Sequence, residues 1–314
     1  MTATITLPEI SEVRQEGAPW LDPQRRHDAV LLFDVSDGNP NGDPDAGNLP
    51  RVDPETMQGL VSDVALKRKI RDFVDAYKGN EERYKIYVQS DEALNSKHQR
   101  AYTAIEADPK KKADRDTVAK ARDWMCDNFF DVRTFGAVMS TAVNAGQVRG
   151  PVQLTFARSF NQITPLDLSI TRIAVTRPED MKVVTEEGEE GKGKSNEMGR
   201  KAIVPYGLYR ASIFVTPQMA ARTGFDSADL ALVWDALVRM WDLDRSASRG
   251  LMGCQGLYVF THDHPLGNAP AQKLINRVNA TLRDRVIAPR SVSDYHISVD
   301  GDALPEGVTL TRLA

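Results

Sequence analysis

The segment Ala29-Val30-Leu31-Leu32-Phe33-Asp34-Val35 runs through Ser36 into Asp37-Gly38-Asn39-Pro40-Asn41-Gly42-Asp43-Pro44-Asp45-Ala46-Gly47-Asn48. A short apolar run with β-branched and aromatic members, bounded by polar residues, reads as a buried strand. The stretch after it consists almost wholly of turn formers and predicts a long ordered loop. Downstream, Val61, Val64, Ala65, Leu66, Ile70, Phe73 and Val74 recur at three-to-four spacing, which predicts a helix ending near Gly79.

Working outward, Tyr84 to Val88 predicts a second strand. The polar, helix-prone stretch from Ser90 to Asn128 has Pro109-Lys110-Lys111-Lys112 between two helical pieces and reads as an insertion lying on the domain. Strands are expected at Val152–Phe160, Leu168–Val175, Leu208–Val215 and Gly256–Thr261, and helices at Asp226–Trp241 and 271–287. That order predicts an α+β fold with one sheet and helices on one side, specifically a split βαβ or ferredoxin-like core. Residues 1–26 lack periodicity and read as a flexible arm, leaving a single domain over 27–314. Within 177–202, Glu186-Glu187-Gly188-Glu189-Glu190-Gly191-Lys192-Gly193-Lys194-Ser195 buries too little apolar area to fold alone and is expected to be mobile until a partner orders it.

Composition narrows the function classes. With 314 residues, 41% apolar and 27% charged, the chain is neither largely disordered nor fibrous. The apolar run at 29–33 is too short to cross a bilayer, and Met1 to Glu12 lack the basic and apolar regions of a signal peptide. Two cysteines, Cys126 and Cys254, cannot make a disulfide framework. A cytoplasmic protein without membrane association is expected. The net charge of −4 conceals a pattern: twelve acidic residues against four arginines over 1–65 give −8, and fifteen basic against ten acidic over 66–122 give +5.

Catalytic motifs are scarce. Asp37, Asn39, Asn41, Gly42, Asp43 and Asp45 match six positions of a calcium loop, but the twelfth is Asn48 instead of a bidentate Glu, and the loop follows a strand instead of a helix. A rigid Asx- and Pro-rich turn fits better, and such a loop can also cradle phosphate or sugar through its N–H groups. His262-Asp263-His264 could chelate, yet nothing nearby completes a site. There is no GxSxG elbow, Walker loop or dinucleotide fingerprint. No cofactor is expected. The run Lys67-Arg68-Lys69-Ile70-Arg71, on a helix just after the turn-rich loop, is read as a set of unpaired cations fit to bind phosphate.

Phe33 to Asn48 followed by Val61 to Arg71 closely resembles the Cas-seven backbone subunit of the type I-C CRISPR surveillance complex, Cascade (the Csd-two family). Further matching stretches are Asp131-Val132-Arg133-Thr134-Phe135-Gly136, Gly150-Pro151-Val152-Gln153, Met198-Gly199-Arg200-Lys201, Pro205-Tyr206-Gly207-Leu208-Tyr209 and Asp244-Arg245-Ser246-Ala247-Ser248-Arg249-Gly250. The resemblance spans 27 to about 300. It implies an RRM-like palm, helical fingers at 80–128 and a β-hairpin thumb at 177–205. It also implies that several copies line one CRISPR RNA and hold the guide for pairing with target DNA. The implied partners are that RNA, further copies of the chain, a Cas-five-type subunit, a large subunit and a recruited helicase–nuclease.

Under this resemblance Lys67, Arg68, Lys69 and Arg71 bind phosphates, Asn39 and Asn41 shape the palm loop, Gln153 adds a polar contact, and Arg200 and Lys201 reach the RNA from the thumb. Related type III subunits cut RNA through an acidic residue in the corresponding loop, which makes Asp37 the candidate of an alternative, metal-dependent ribonuclease with Asp43 or Asp45 as helpers.

Overall fold

The computed structural model describes residues 17–90, 92–109, 113–174, 176 and 197–314. The Lys110–Lys112 run and the Glu186–Ser195 stretch lie outside them. Strand β1 (His27–Gly38) leads through β2 (Gly42–Asp43), β3 (Leu49–Pro50) and β4 (Gln58–Val61) to helix α1 (Asp63–Lys78). Helices α2 (Leu94–Ala104), α3 (Arg115–Asn128) and α4 (Phe130–Phe135) precede the hairpin of β5 (Gly136–Ser140) and β6 (Asn144–Arg149). Then come β7 (Val152–Leu154), β8 (Ala157–Gln162), β9 (Leu166–Arg172) and the long β10 (Glu197–Val215). Helices α5 (Pro217–Thr223) and α6 (Ser227–Leu243), β11 (Leu251–His262), α7 (Ala271–Ile275), β12 (Val278–Leu282), β13 (Tyr295–Val299) and β14 (Val308–Arg312) complete the order.

An antiparallel sheet runs β14-β11-β1-β10-β8-β4, with β7 and β9 also pairing with β10. β1 is at its centre and buried on both sides. Ala29, Leu31, Phe33 and Val35 join the core formed with α1 and α6, whereas Val30 and Leu32 join Tyr258, Phe260, Leu274 and Val278. Two covered faces explain an unbroken apolar run where a half-exposed strand would alternate. The Phe33 ring stacks on Trp241 of α6 at 4.6 Å and on Tyr209 of β10 at 5.3 Å. Such burial stabilises by about 1.5–3 kcal/mol per large side chain.

A second core lies within residues 87–145. Tyr87, Tyr102, Met125 and Phe129 pack with Met139 and Val143 of the β5–β6 hairpin, away from the sheet. Among the described residues no helix is long and apolar enough to cross a membrane.

Four expectations need correcting. The helix starts at Asp63, because Ser62 caps it with Oγ accepting from the Ala65 amide at 3.3 Å; Val61 belongs to β4, and Val64 is 66% exposed. Residues 84–88 are not a strand. The amides of Tyr87 and Val88 turn to the Asp131 carboxylate at 2.7 and 3.0 Å, and only Lys85 makes a bridge, to Phe129. The helix expected at 271–287 stops after Ile275, and 278–282 pairs with β13. There Val278 and Ala280 are buried and Asn279 and Thr281 exposed, a period of two that overrides the helical reading. Finally, residues 17–26 are anchored: Ala18 and Leu21 are buried, and the Trp234 indole N–H donates to the Trp20 carbonyl at 3.0 Å. Residues 1–16 of the expected arm lie outside the described residues.

Candidate nucleic-acid interface

The 39–48 loop is fixed at its stem. The Asn39 amide donates to the Ser248 carbonyl at 2.7 Å, and its side-chain Nδ2 donates to the Asn48 carbonyl at 2.8 Å. Asn41 Oδ1 accepts from the Ser62 amide at 2.9 Å and so joins the loop to the start of α1. Both asparagines therefore shape the loop from within. Asp43 forms an Asx turn with the Asp45 amide at 3.2 Å and faces Arg51 at 3.4 Å. The stem lies so close to the 244–250 turn that a Cβ at Gly38 would overlap the Arg249 carbonyl.

Every cation of the 67–71 run has a partner, which corrects the expectation that they stand unpaired. Lys67 meets Asp63 at 3.0 Å and Arg68 meets Asp72 at 2.7 Å, both one helical turn away. Lys69 pairs with Asp244 at the end of α6, and Arg71 Nε meets Asp131 Oδ2 of α4 at 2.7 Å. Exposure separates them: side chains are 3% exposed at Lys69, 11% at Arg71, 15% at Lys67 and 54% at Arg68. Burial, with the Arg249 cation adding to it, pushes the Lys69 ammonium down to about 7.

Two pockets flank the loop stem. One, of about 270 Å³, is lined by Asn39, Asn48, Asp167, Arg200, Lys201 and Ser248. The other, of about 410 Å³, is lined by Asn41, Arg68, Lys69, Asp72, Asp244 and Arg249 among others. The fold thus gathers Asn39, Asn41, Arg68, Lys69, Arg200 and Lys201 around one loop. Arg200 and Lys201 are on β10 where it pairs with β9, and Arg200 meets Asp167 at 2.6 Å while remaining 80% exposed. Gln153 is elsewhere: its Nε2 donates to the Phe135 and Gly150 carbonyls, both at 3.1 Å.

The sequence reading missed Asp244, Ser248 and Arg249. Arg249 Nε meets Asp244 Oδ2 at 3.1 Å, and its Nη1 donates to the Asn39 and Pro40 carbonyls at 3.2 and 3.4 Å. The 244–250 stretch that carries them resembles the family, but nothing in the linear sequence assigns these residues a role.

The fold takes up one histidine of the His262-Asp263-His264 fragment. His262 is fully buried, with Nε2 2.9 Å from Asp28 Oδ2 and Nδ1 accepting from the Asn268 amide at 2.8 Å. Among the described residues no three His, Cys, Asp or Glu side chains converge as a metal site. Asp37 is exposed, in the left-handed region at φ 50°.

A sequence model of the CRISPR-associated protein Cas7 family matches residues 25–300. The chain belongs to the Cas7 family. A CRISPR-associated protein Cas7 of Haloferax volcanii is 26% identical over 311 residues, covering 92% of this chain and 84% of that one. Among solved structures, a chain of a pre-nicking CRISPR RNA-guided surveillance complex aligns with a TM-score of 0.47 at 14% identity, over 78% of this chain and 81% of that one. A chain of the type III-B Cmr-beta complex bound to cognate target RNA aligns at 0.38 and 10% identity, over 75% and 61%.

Proposed function

We propose that this Cas7-family chain is a non-catalytic backbone subunit that oligomerises along a CRISPR RNA in a type I-C Cascade and presents the guide to target DNA. In this reading the sheet with α1 and α6 is an RRM-like palm, 80–128 are the fingers, and the hairpin of β9 and β10 is the base of a thumb spanning 177–205. Arg68, Arg200 and Lys201 take the phosphates, with Lys67 at the margin. Asn39 and Asn41 hold the loop between them.

The observation that carries the reading is the pair of pockets around one rigid loop, with exposed cations on both sides. Arg68 and Arg200 are held only by exposed carboxylate pairs, worth about 0–1 kcal/mol, so a phosphate can replace Asp72 or Asp167 at little cost. Contacts of this kind read backbone and not bases, as a subunit serving variable guides requires. Leu166, Leu168 and Ile170 stand exposed at alternate positions of β9, an apolar row suited to a neighbouring copy. The remaining partners, a Cas-five-type subunit, a large subunit and a helicase–nuclease, follow from the subtype proposed.

Coexpression with the complex partners and a CRISPR array, followed by extraction and sizing of bound nucleic acid, tests this. The expected product is a uniform repeat-plus-spacer RNA carrying several copies of the chain; protein free of RNA overturns the reading. Incubation of the same preparation with complementary RNA and magnesium is expected to leave that RNA intact. Shortening that disappears in Asp37→Asn would make the subunit a ribonuclease.

A further inference from the structure

Lys69 is the most hidden member of the cationic run, with a side chain 3% exposed. Its ammonium pairs with Asp244 and lies 5.9 Å from the centre of the Trp241 ring. Asp244 Oδ2 is shared with Arg249 Nε at 3.1 Å, and the other end of the Arg249 fork donates to the carbonyls of Asn39 and Pro40. One carboxylate thus connects a buried cation on α1 to the backbone of the loop. The Lys69 side chain is hidden and its ammonium already paired, so a phosphate would have to compete for it with Asp244, whose half-buried carboxylate is 24% exposed. If the ammonium is removed, Asp244 keeps Arg249 alone, and the guanidinium is drawn inward and off the two carbonyls.

We propose that Lys69 is a positioning residue: it sets Asp244, Asp244 sets Arg249, and Arg249 holds the 39–41 backbone in the shape that presents the loop to its ligand. Its consequence for RNA rests on the function proposed above. The mechanical part, that Lys69 holds the loop, does not.

The test replaces Lys69 by Met, which keeps length and removes charge, in the assembled complex. RNA affinity is measured across a salt series, and amide exchange at Asn39 is followed in the free chain. The expected result is an affinity about tenfold lower, an unchanged slope of log affinity against log salt, and faster exchange of the Asn39 amide, which is bonded to Ser248. A slope reduced by about 0.7 would mark a direct phosphate contact and overturn the proposal. Unchanged affinity and exchange would do the same.

A second variant separates positioning from stability. Lys69→Met with Asp244→Leu removes both members of the pair, one buried and one half-buried, so melting temperature recovers while Arg249 still lacks its carboxylate. Affinity stays low if Lys69 works through Arg249; a return to the wild-type value refutes it. If the wild-type assembly carries no RNA, the functional reading fails, and exchange at Asn39 still decides whether Lys69 holds the loop.

Discussion

Arg71 Nε and Asp131 Oδ2 lie 2.7 Å apart, with side chains 11% and 1% exposed. The same carboxylate accepts from the amides of Tyr87 and Val88, and the Arg71 guanidinium lies 5.3 Å from the centre of the Phe135 ring. Arg71 therefore clamps α1 to α4 and, through Asp131, to the chain at Tyr87 and Val88. Arg71→Ala leaves Asp131 buried without its cation, a change that costs about 3–5 kcal/mol. A large fall in melting temperature with an unchanged salt slope of RNA binding is expected. The sequence reading assigns Arg71 a phosphate contact instead, which predicts a flatter salt slope.

Exposed cations should behave the other way. Arg68→Ala and Arg200→Ala each remove a charge whose present partner is a solvent-screened carboxylate. Melting temperatures should move little, within about 0.5 kcal/mol of stability. Each substitution should flatten the dependence of log affinity on log salt by about 0.7, and the double variant by about 1.4. Filter binding or fluorescence anisotropy between low and moderate salt checks this. An unchanged slope removes that side chain from the RNA path.

The difference between these two groups shows where sequence reasoning stops. Lys67 with Asp63, and Arg68 with Asp72, are four residues apart on one helix, so spacing alone offers both pairs, and reading the run as unpaired passes over them. Arg71 with Asp131 and Lys69 with Asp244 are 60 and 175 residues apart, and only the fold brings them together. The central strand, the rigid loop and α6 were readable because their periodicity or turn chemistry is local. The region 271–287 was not, since apolar residues at 274, 275 and 278 suit a helical face until pairing with β13 imposes a period of two. The 244–250 stretch marks Arg249 by resemblance but not by role, because that role is to hold two carbonyls 209 and 210 positions away.

Arg133 is a further residue whose weight the linear sequence conceals. Its guanidinium makes a two-pronged contact with Asp229, Nε to Oδ2 and Nη2 to Oδ1 both at 2.8 Å, with neither side chain exposed. Asp229 also closes the capping box of α6 and receives Arg83 at 3.3 Å. Arg133→Met should destabilise by about 3–5 kcal/mol by leaving that carboxylate short of its main partner. Arg133→Lys should recover only part of the loss, because a single ammonium cannot span both oxygens. Urea unfolding of the three proteins measures the order; equal midpoints would mean the pair contributes nothing.

Stability should also fall in mild acid for a reason located at His27. Its ring is fully buried, Nε2 bonds the Asp22 carbonyl at 2.8 Å, and Nδ1 meets Thr261 Oγ1 at 3.1 Å. Burial, against smaller opposing effects of Asp22, lowers its pKa from 6.5 to about 4. The folded state thus refuses a proton that the unfolded chain binds. The stability linked to His27 is complete above pH 6.5, declines as pH falls through that value, and is lost once pH passes below about 4. The shift corresponds to about 3 kcal/mol. Denaturation midpoints taken between pH 7 and pH 4 should fall accordingly. In His27→Gln, whose amide can keep one of the two contacts and does not titrate, this part of the slope should disappear; an identical pH profile would place the acid sensitivity elsewhere.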